Sequence, residues 1–68
     1  MLNHAMNLYR CYFLNEKRYV VDHRLMQCDT DDAARSLADR LLGENDYPAI
    51  EVWERQRQVH AAEKPSPS

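Results

Sequence analysis

The stretch Asp29–Gly43, Asp-Thr-Asp-Asp-Ala-Ala-Arg-Ser-Leu-Ala-Asp-Arg-Leu-Leu-Gly, constrains the fold most, because it reads as one amphipathic helix with both ends written in. At about 100° per residue, Ala34, Leu37, Ala38, Leu41 and Leu42 fall on one arc, and Arg35, Ser36, Asp39 and Arg40 on the other. Asp29 or Thr30 can cap the first free N–H groups, and Asp31 and Asp32 lie where the helix dipole favours anions. Gly43 suits the left-handed position just past a helix end. Asp31/Arg35 and Arg35/Asp39 are spaced i,i+4, worth about a few tenths of a kcal/mol per pair on a solvated face. The apolar stripe needs something to cover, and the flanking segments read as strands.

Leu8–Leu14, rich in aromatics, is predicted to be a strand with Tyr9, Cys11 and Phe13 on one face and Leu8, Arg10, Tyr12 and Leu14 on the other. Both faces are substantially apolar, which predicts a central position. Asn15-Glu16-Lys17-Arg18 is a polar break with Asn15 suited to open a β-turn. Tyr19–Cys28 is the second strand, with Tyr19, Val21, His23 and Leu25 alternating against Val20, Asp22, Arg24, Met26 and Cys28. Its mid-strand charges predict an edge. After the helix, Pro48 favours extended geometry at Tyr47. Ala49–Arg55 alternates as a third strand, Gln56-Arg57 forms a break, and Gln58–Ala62 is a short fourth strand.

This order predicts a ββαββ, α+β fold: a four-stranded antiparallel sheet in order 2-1-3-4 with one helix on one face. Residues 1–62 form the single domain, with a loose lead-in to Asn7. Residues 63–68, Glu-Lys-Pro-Ser-Pro-Ser, carry too little apolar surface to offset ordering entropy and are expected to be a disordered tail whose removal leaves stability unchanged. The expected core sets Tyr9, Cys11, Phe13, Val21, Ile50 and Val52 against the helix stripe. One helix covers one sheet face, so the other carries Arg10, Tyr12, Leu14, Val20, Met26 and Trp53, with Glu51 and Arg55 beside them. Monomers rarely expose a contiguous apolar patch beyond a few hundred Å². Arg10, Tyr12, Leu14, Met26, Glu51, Trp53 and Arg55 are therefore the candidate interaction face, with an Arg10/Glu51 cross-strand pair within it.

A pattern of Tyr-Arg-x-Tyr-x-Leu, an Asp-Asp pair followed by Ala, Leu-Leu ending the helix, and Glu-Val-Trp followed by an Arg and a Val runs through most of the chain. Its residues here are Tyr9, Arg10, Tyr12 and Leu14; Asp31, Asp32, Ala34, Leu41 and Leu42; and Glu51, Val52, Trp53, Arg57 and Val59. In these, the chain from Tyr9 to Val59 resembles short uncharacterised proteobacterial proteins of roughly this length. Many of those carry glycine in one or both hairpin turns, where this chain has none. The resemblance implies that Arg10, Tyr12, Glu51 and Trp53 belong together, and it implies no activity.

Size and charge bound the function. A chain of 68 residues has a thin core and often leans on a partner subunit. Cys11 and Cys28, with no hydrophobic signal segment behind Met1-Leu2-Asn3-His4, argue for a reducing, cytoplasmic setting. No apolar run approaches the roughly 20 residues of a membrane span. A net charge of −2 supplies no long-range attraction to nucleic acid. The Arg10, Tyr12, Trp53 and Arg55 set could still stack single-stranded bases, but Glu51 shares that face, and a protein contact fits it better.

His4, His23, His60, Cys11 and Cys28 have no metal-ligand spacing, and Asp29, Asp31 and Asp32 lack the glycine and distal Glu of a calcium loop. Cys28 precedes a helix N-terminus, yet the three aspartates beside it oppose thiolate formation. The reading is therefore of no enzyme, catalytic residue, metal or cofactor, and of a protein-interaction module or homodimer, with a single-stranded nucleic-acid binder as the alternative. The homodimer would place Trp53, Tyr12 and Leu14 face to face across a two-fold axis.

Overall fold

A computed structural model of the chain describes residues 6–65. Within them the chain runs β1 (Asn7–Leu14), β2 (Val20–Cys28), α1 (Asp31–Glu44), β3 (Ala49–Glu54) and β4 (Arg57–Glu63). All neighbouring strands are antiparallel and the sheet order is β2-β1-β3-β4, so the predicted ββαββ topology and strand order are observed. The lead-in residues 1–5 and the end of the expected tail, 66–68, lie outside the described residues.

Thr30 opens α1 with extended backbone, its hydroxyl accepting the Ala33 N–H at 3.0 Å. The other end departs from expectation. The helix runs through Gly43 to Glu44, Gly43 keeps a negative φ, and Asn45 is the cap, its side-chain amide donating to the Leu41 carbonyl at 2.7 Å. A side chain satisfies the orphan carbonyl, so the left-handed freedom of glycine is unused.

The core lies between α1 and one sheet face. Tyr9, Cys11 and Phe13 of β1 and Ile50 and Val52 of β3 are fully or almost fully buried against Ala34, Ala38, Leu41 and Leu42. Two alanines on the stripe let the helix approach the aromatics, and Tyr47 packs on Phe13 with ring centroids 5.0 Å apart. Each large side chain so buried contributes about 1.5–3 kcal/mol.

β2 presents the opposite faces to those expected. Tyr9 pairs with Met26 and Asn7 with Cys28, so Met26 and Cys28 join the core, whereas Val21 is about half exposed. Met26 is thus not on the helix-free face. Side-chain alternation has a period of two, so both sets of β2 residues obey it, and the hairpin chooses between them. Asn15 directs that hairpin: its carbonyl accepts the Arg18 N–H at 2.9 Å, and its side chain accepts the Lys17 and Tyr19 amides at 2.9 and 3.0 Å. Arg18 takes φ 69°, and because Phe13 pairs with Asp22 but Leu14 with Val20, Val21 is an extra, bulged residue.

The second hairpin turns on Arg55-Gln56, one residue earlier than expected, with Arg55 at φ 56°. Val59 is its bulged residue, since Val52 pairs with His60 and Trp53 with Gln58. Each hairpin therefore holds an arginine where glycine would be unstrained.

The expected tail begins too early. β4 includes Glu63, which pairs with Ala49 and bridges to Arg18; the Lys64 amide donates to the Pro48 carbonyl at 2.8 Å, and its ammonium to the Asn45 carbonyl. Two of these ties are backbone pairings open to any residue at a strand end, and the other two are made by the charged heads of Glu63 and Lys64, so the polar composition concealed both kinds.

Two outcomes follow. A chain ending at Ala62 should lose about 1–3 kcal/mol in denaturant unfolding, the sum of these bonds; an unchanged midpoint would mean they contribute nothing. A Cβ at Gly43 meets nothing within 4 Å, so Gly43→Ala should raise stability by about 0.5–1 kcal/mol, read as a higher thermal midpoint.

Candidate functional site

Strand register arranges the helix-free face in rows. Glu51 of β3, Tyr12 of β1 and His23 of β2 form one, and Trp53, Arg10 and Leu25 form the next. Tyr12 and His23 have ring centroids 6.4 Å apart, and the Arg10 guanidinium lies 5.7 Å from the Tyr12 centroid. Arg10 also donates to the carbonyl of Arg55 at the hairpin corner. The Trp53 indole N–H donates to Glu51 at 3.1 Å.

The face thus holds Arg10, Tyr12, Glu51 and Trp53 together, as the sequence implied, with different partners. The expected Arg10/Glu51 pair is not made, because the register sets Arg10 opposite Trp53 and Glu51 opposite Tyr12. Leu14 lies beside Ala49 on this side but is only 2% exposed, and the Arg18–Glu63 bridge spans the sheet at that end. Leu14 is therefore not free to meet another chain. Arg55 is in the turn, exposed, holding Arg10 through its carbonyl.

Accessible apolar surface lies toward β2. Leu8 is 51% exposed, Leu25 59% and Val21 48%, whereas Tyr12 and Trp53 are half-buried. Leu8 was legible from its alternation with Arg10 and Tyr12; Leu25 was not, since its face followed from the hairpin. A groove of about 480 Å³ runs from Met6, Asn7 and Leu8 past Arg10 to Glu54 and Arg55. A second, of about 490 Å³, lies between α1 and the end of β2.

The polar groups of the opposite side fasten helix to sheet. Asp31 accepts the Tyr9 hydroxyl at 2.8 Å and two Arg57 N–H bonds at 2.8 and 3.1 Å, and Arg57 also meets Glu54 at 2.5 Å. Arg57 first, and Tyr9 second, hold the Asp31 carboxyl down to about 2, while burial and the Asp31 bond push the Tyr9 phenol up. Arg35 turns to Asp32 at 2.5 Å, an i,i+3 pair, and Asp39 meets His60 of β4 at 2.8 Å, so in place of the expected i,i+4 ladder Arg35 pairs within the first turn while Asp31 and Asp39 are tied to β4.

Burial pushes Cys11 up to about 11 and, with Asp29, raises Cys28, which disfavours both thiols as nucleophiles. Among the described residues, no three His, Cys, Asp or Glu side chains converge on a metal-sized site, and no helix is long and apolar enough to cross a membrane. His4 lies outside them.

No protein-family model, curated protein or solved structure matches this chain.

Because its folded carboxyl titrates below the ordinary aspartate value, Asp31 adds stability that is fully present above about pH 4 and is lost as pH falls through about 2. Asp31→Asn should therefore lower the thermal midpoint at neutral pH, and the gap to wild type should close between about pH 4 and 2. A gap that stays constant with pH would show that the carboxylate charge has no part in it.

Proposed function

We propose that this chain is a small protein-interaction module that offers its helix-free sheet face to another protein surface, a second copy included. The observation that carries the reading is the continuity of exposed Leu8, Leu25 and Val21 with the Arg10, Tyr12 and His23 groups beside them. Aromatic and Arg side chains held by their neighbours lose little conformational entropy on contact, which suits them to protein interfaces. A domain with this thin a core gains stability from whatever covers such a face. The cysteine usage accords with a cytoplasmic setting, and the pattern of residues with a bacterial source.

The single-stranded nucleic-acid reading draws less support. Glu51 and Glu63 share the face, the Trp53 N–H is held by a carboxylate, and Arg10 is turned to a carbonyl and a ring.

Leu8→Glu tests the proposal because Leu8 is outside the core. The unfolding free energy should stay within about 0.5 kcal/mol of wild type, while partners retained by the immobilised wild-type chain are no longer captured. Capture indifferent to Leu8→Glu and to Tyr12→Ala would overturn the reading. Salt-sensitive retention of a labelled single-stranded oligonucleotide, lost with Trp53→Ala, would replace it with the other.

A further inference from the structure

The outer edge of β2 carries a self-complementary set of residues. β2 is an edge strand of nine residues, Val20–Cys28, whose only irregularity is the bulge near its start. The other edge, β4, is shorter, at seven residues with a bulge at Val59, and its His60 and Arg57 are already engaged with Asp39, Asp31 and Glu54. Arg24 of β2 makes no ion pair among the described residues, and neither does Asp22, which is bonded to neutral groups.

We propose that β2 is a homodimerisation edge: two copies pair antiparallel about a two-fold axis at His23, setting Asp22 of each against Arg24 of the other. A two-fold axis perpendicular to the sheet keeps each side chain on its own face, so residues directly opposite must share a face. That leaves few registers. An axis at Asp22 opposes two carboxylates, and an axis at Arg24 opposes two guanidinium groups, both unfavourable. An axis at His23 pairs Asp22 with Arg24 twice on the helix side, and Val21 with Leu25 twice on the open side.

The backbone favours the same register. The His23 N–H donates to the carboxylate of Asp22 at 2.8 Å, which marks it as an amide facing off the sheet and filled by a neighbouring side chain. Pairing at His23 hands that amide to a carbonyl of the second copy and frees an Asp22 oxygen for the second copy's Arg24, while the Tyr47 hydroxyl keeps the other at 3.2 Å. Asp22 and Arg24 then occupy the non-hydrogen-bonded positions, where opposite side chains are closest. Both helices lie on one side of the resulting eight-stranded sheet and both helix-free faces on the other, so this inference does not rest on the reading of that face. A short edge contact falls at the small end of interface sizes, below about 1,200 Å², which makes the dimer concentration-dependent.

Equilibrium sedimentation of the full chain tests this. The wild type should dimerise reversibly and more weakly as salt rises. Asp22→Arg and Arg24→Asp each place like charges opposite one another and should weaken dimerisation at least about tenfold. Mixed together, the two variants oppose arginines to aspartates and should form a heterodimer, and the double variant Asp22→Arg/Arg24→Asp should regain the homodimer. Self-association lost with Leu8→Glu but kept by both charge variants would place the contact on the helix-free face and overturn the edge, which separates the two readings. A wild type that remains monomeric at millimolar concentration, or single variants that neither lose self-association nor pair when mixed, would overturn the proposal. Circular dichroism of each variant separates loss of folding from loss of pairing.

Discussion

One helix must cover four strands. The 14 residues of α1 span about 21 Å and the outer strands stand roughly 15 Å apart, so the helix roofs one face of the sheet and none of the other. The largest fully buried side chains, Tyr9, Phe13, Ile50 and Val52, are accordingly on the roofed side. The uncovered side is stabilised by cross-strand neighbours instead, with Arg10 over Tyr12, Trp53 tied to Glu51, and Leu14 and Ala49 closed off where Arg18 meets Glu63. What remains exposed, Leu8 and Leu25, follows from that geometry.

The electrostatics serve the same roof. Asp31 suits the first turn of a helix on dipole grounds alone, but its carboxylate also joins β1 through the buried Tyr9 hydroxyl and the β3–β4 hairpin through Arg57. One aspartate thereby satisfies a buried phenol that would otherwise carry a desolvation cost of about 1–3 kcal/mol. Asp39 and His60 repeat the arrangement further along the helix. The acidic face of the helix is thus less a solvated surface than a set of ties to the sheet.

The two edges are managed differently. β4 has a bulge at Val59, and its Arg57, His60 and Glu63 side chains are tied to Asp31 and Glu54, to Asp39 and to Arg18, which blunts it as a template for another strand. β2 keeps a regular outer edge with opposite charges one residue either side of His23. In both hairpins an arginine holds a positive φ, a strain that the Asn15 bonds and the Arg10 bond to the Arg55 carbonyl offset.

The sequence by itself determined what depends on local chemistry and short-range period. Ala34, Ala38, Leu41 and Leu42 recur at helical spacing, Ile50 and Val52 alternate, Asn15 opens a turn, and the edge charges of β2 with the two-faced β1 order the sheet. Four residues of the candidate face, Arg10, Tyr12, Glu51 and Trp53, were readable for the same reason, because their strands alternate without interruption up to the hairpin. Tertiary structure decided which way β2 faces. Its two residue sets are about equally apolar, so one extra residue at Val21 and a left-handed Arg18 settle whether Met26 or Leu25 enters the core, and no window of sequence contains that information. It also decided the ends. Gly43 stayed helical because Asn45 could reach back to a carbonyl, and Glu63 and Lys64 became ordered because Ala49, Pro48 and Arg18 waited for them across a sheet that exists only once the chain has folded.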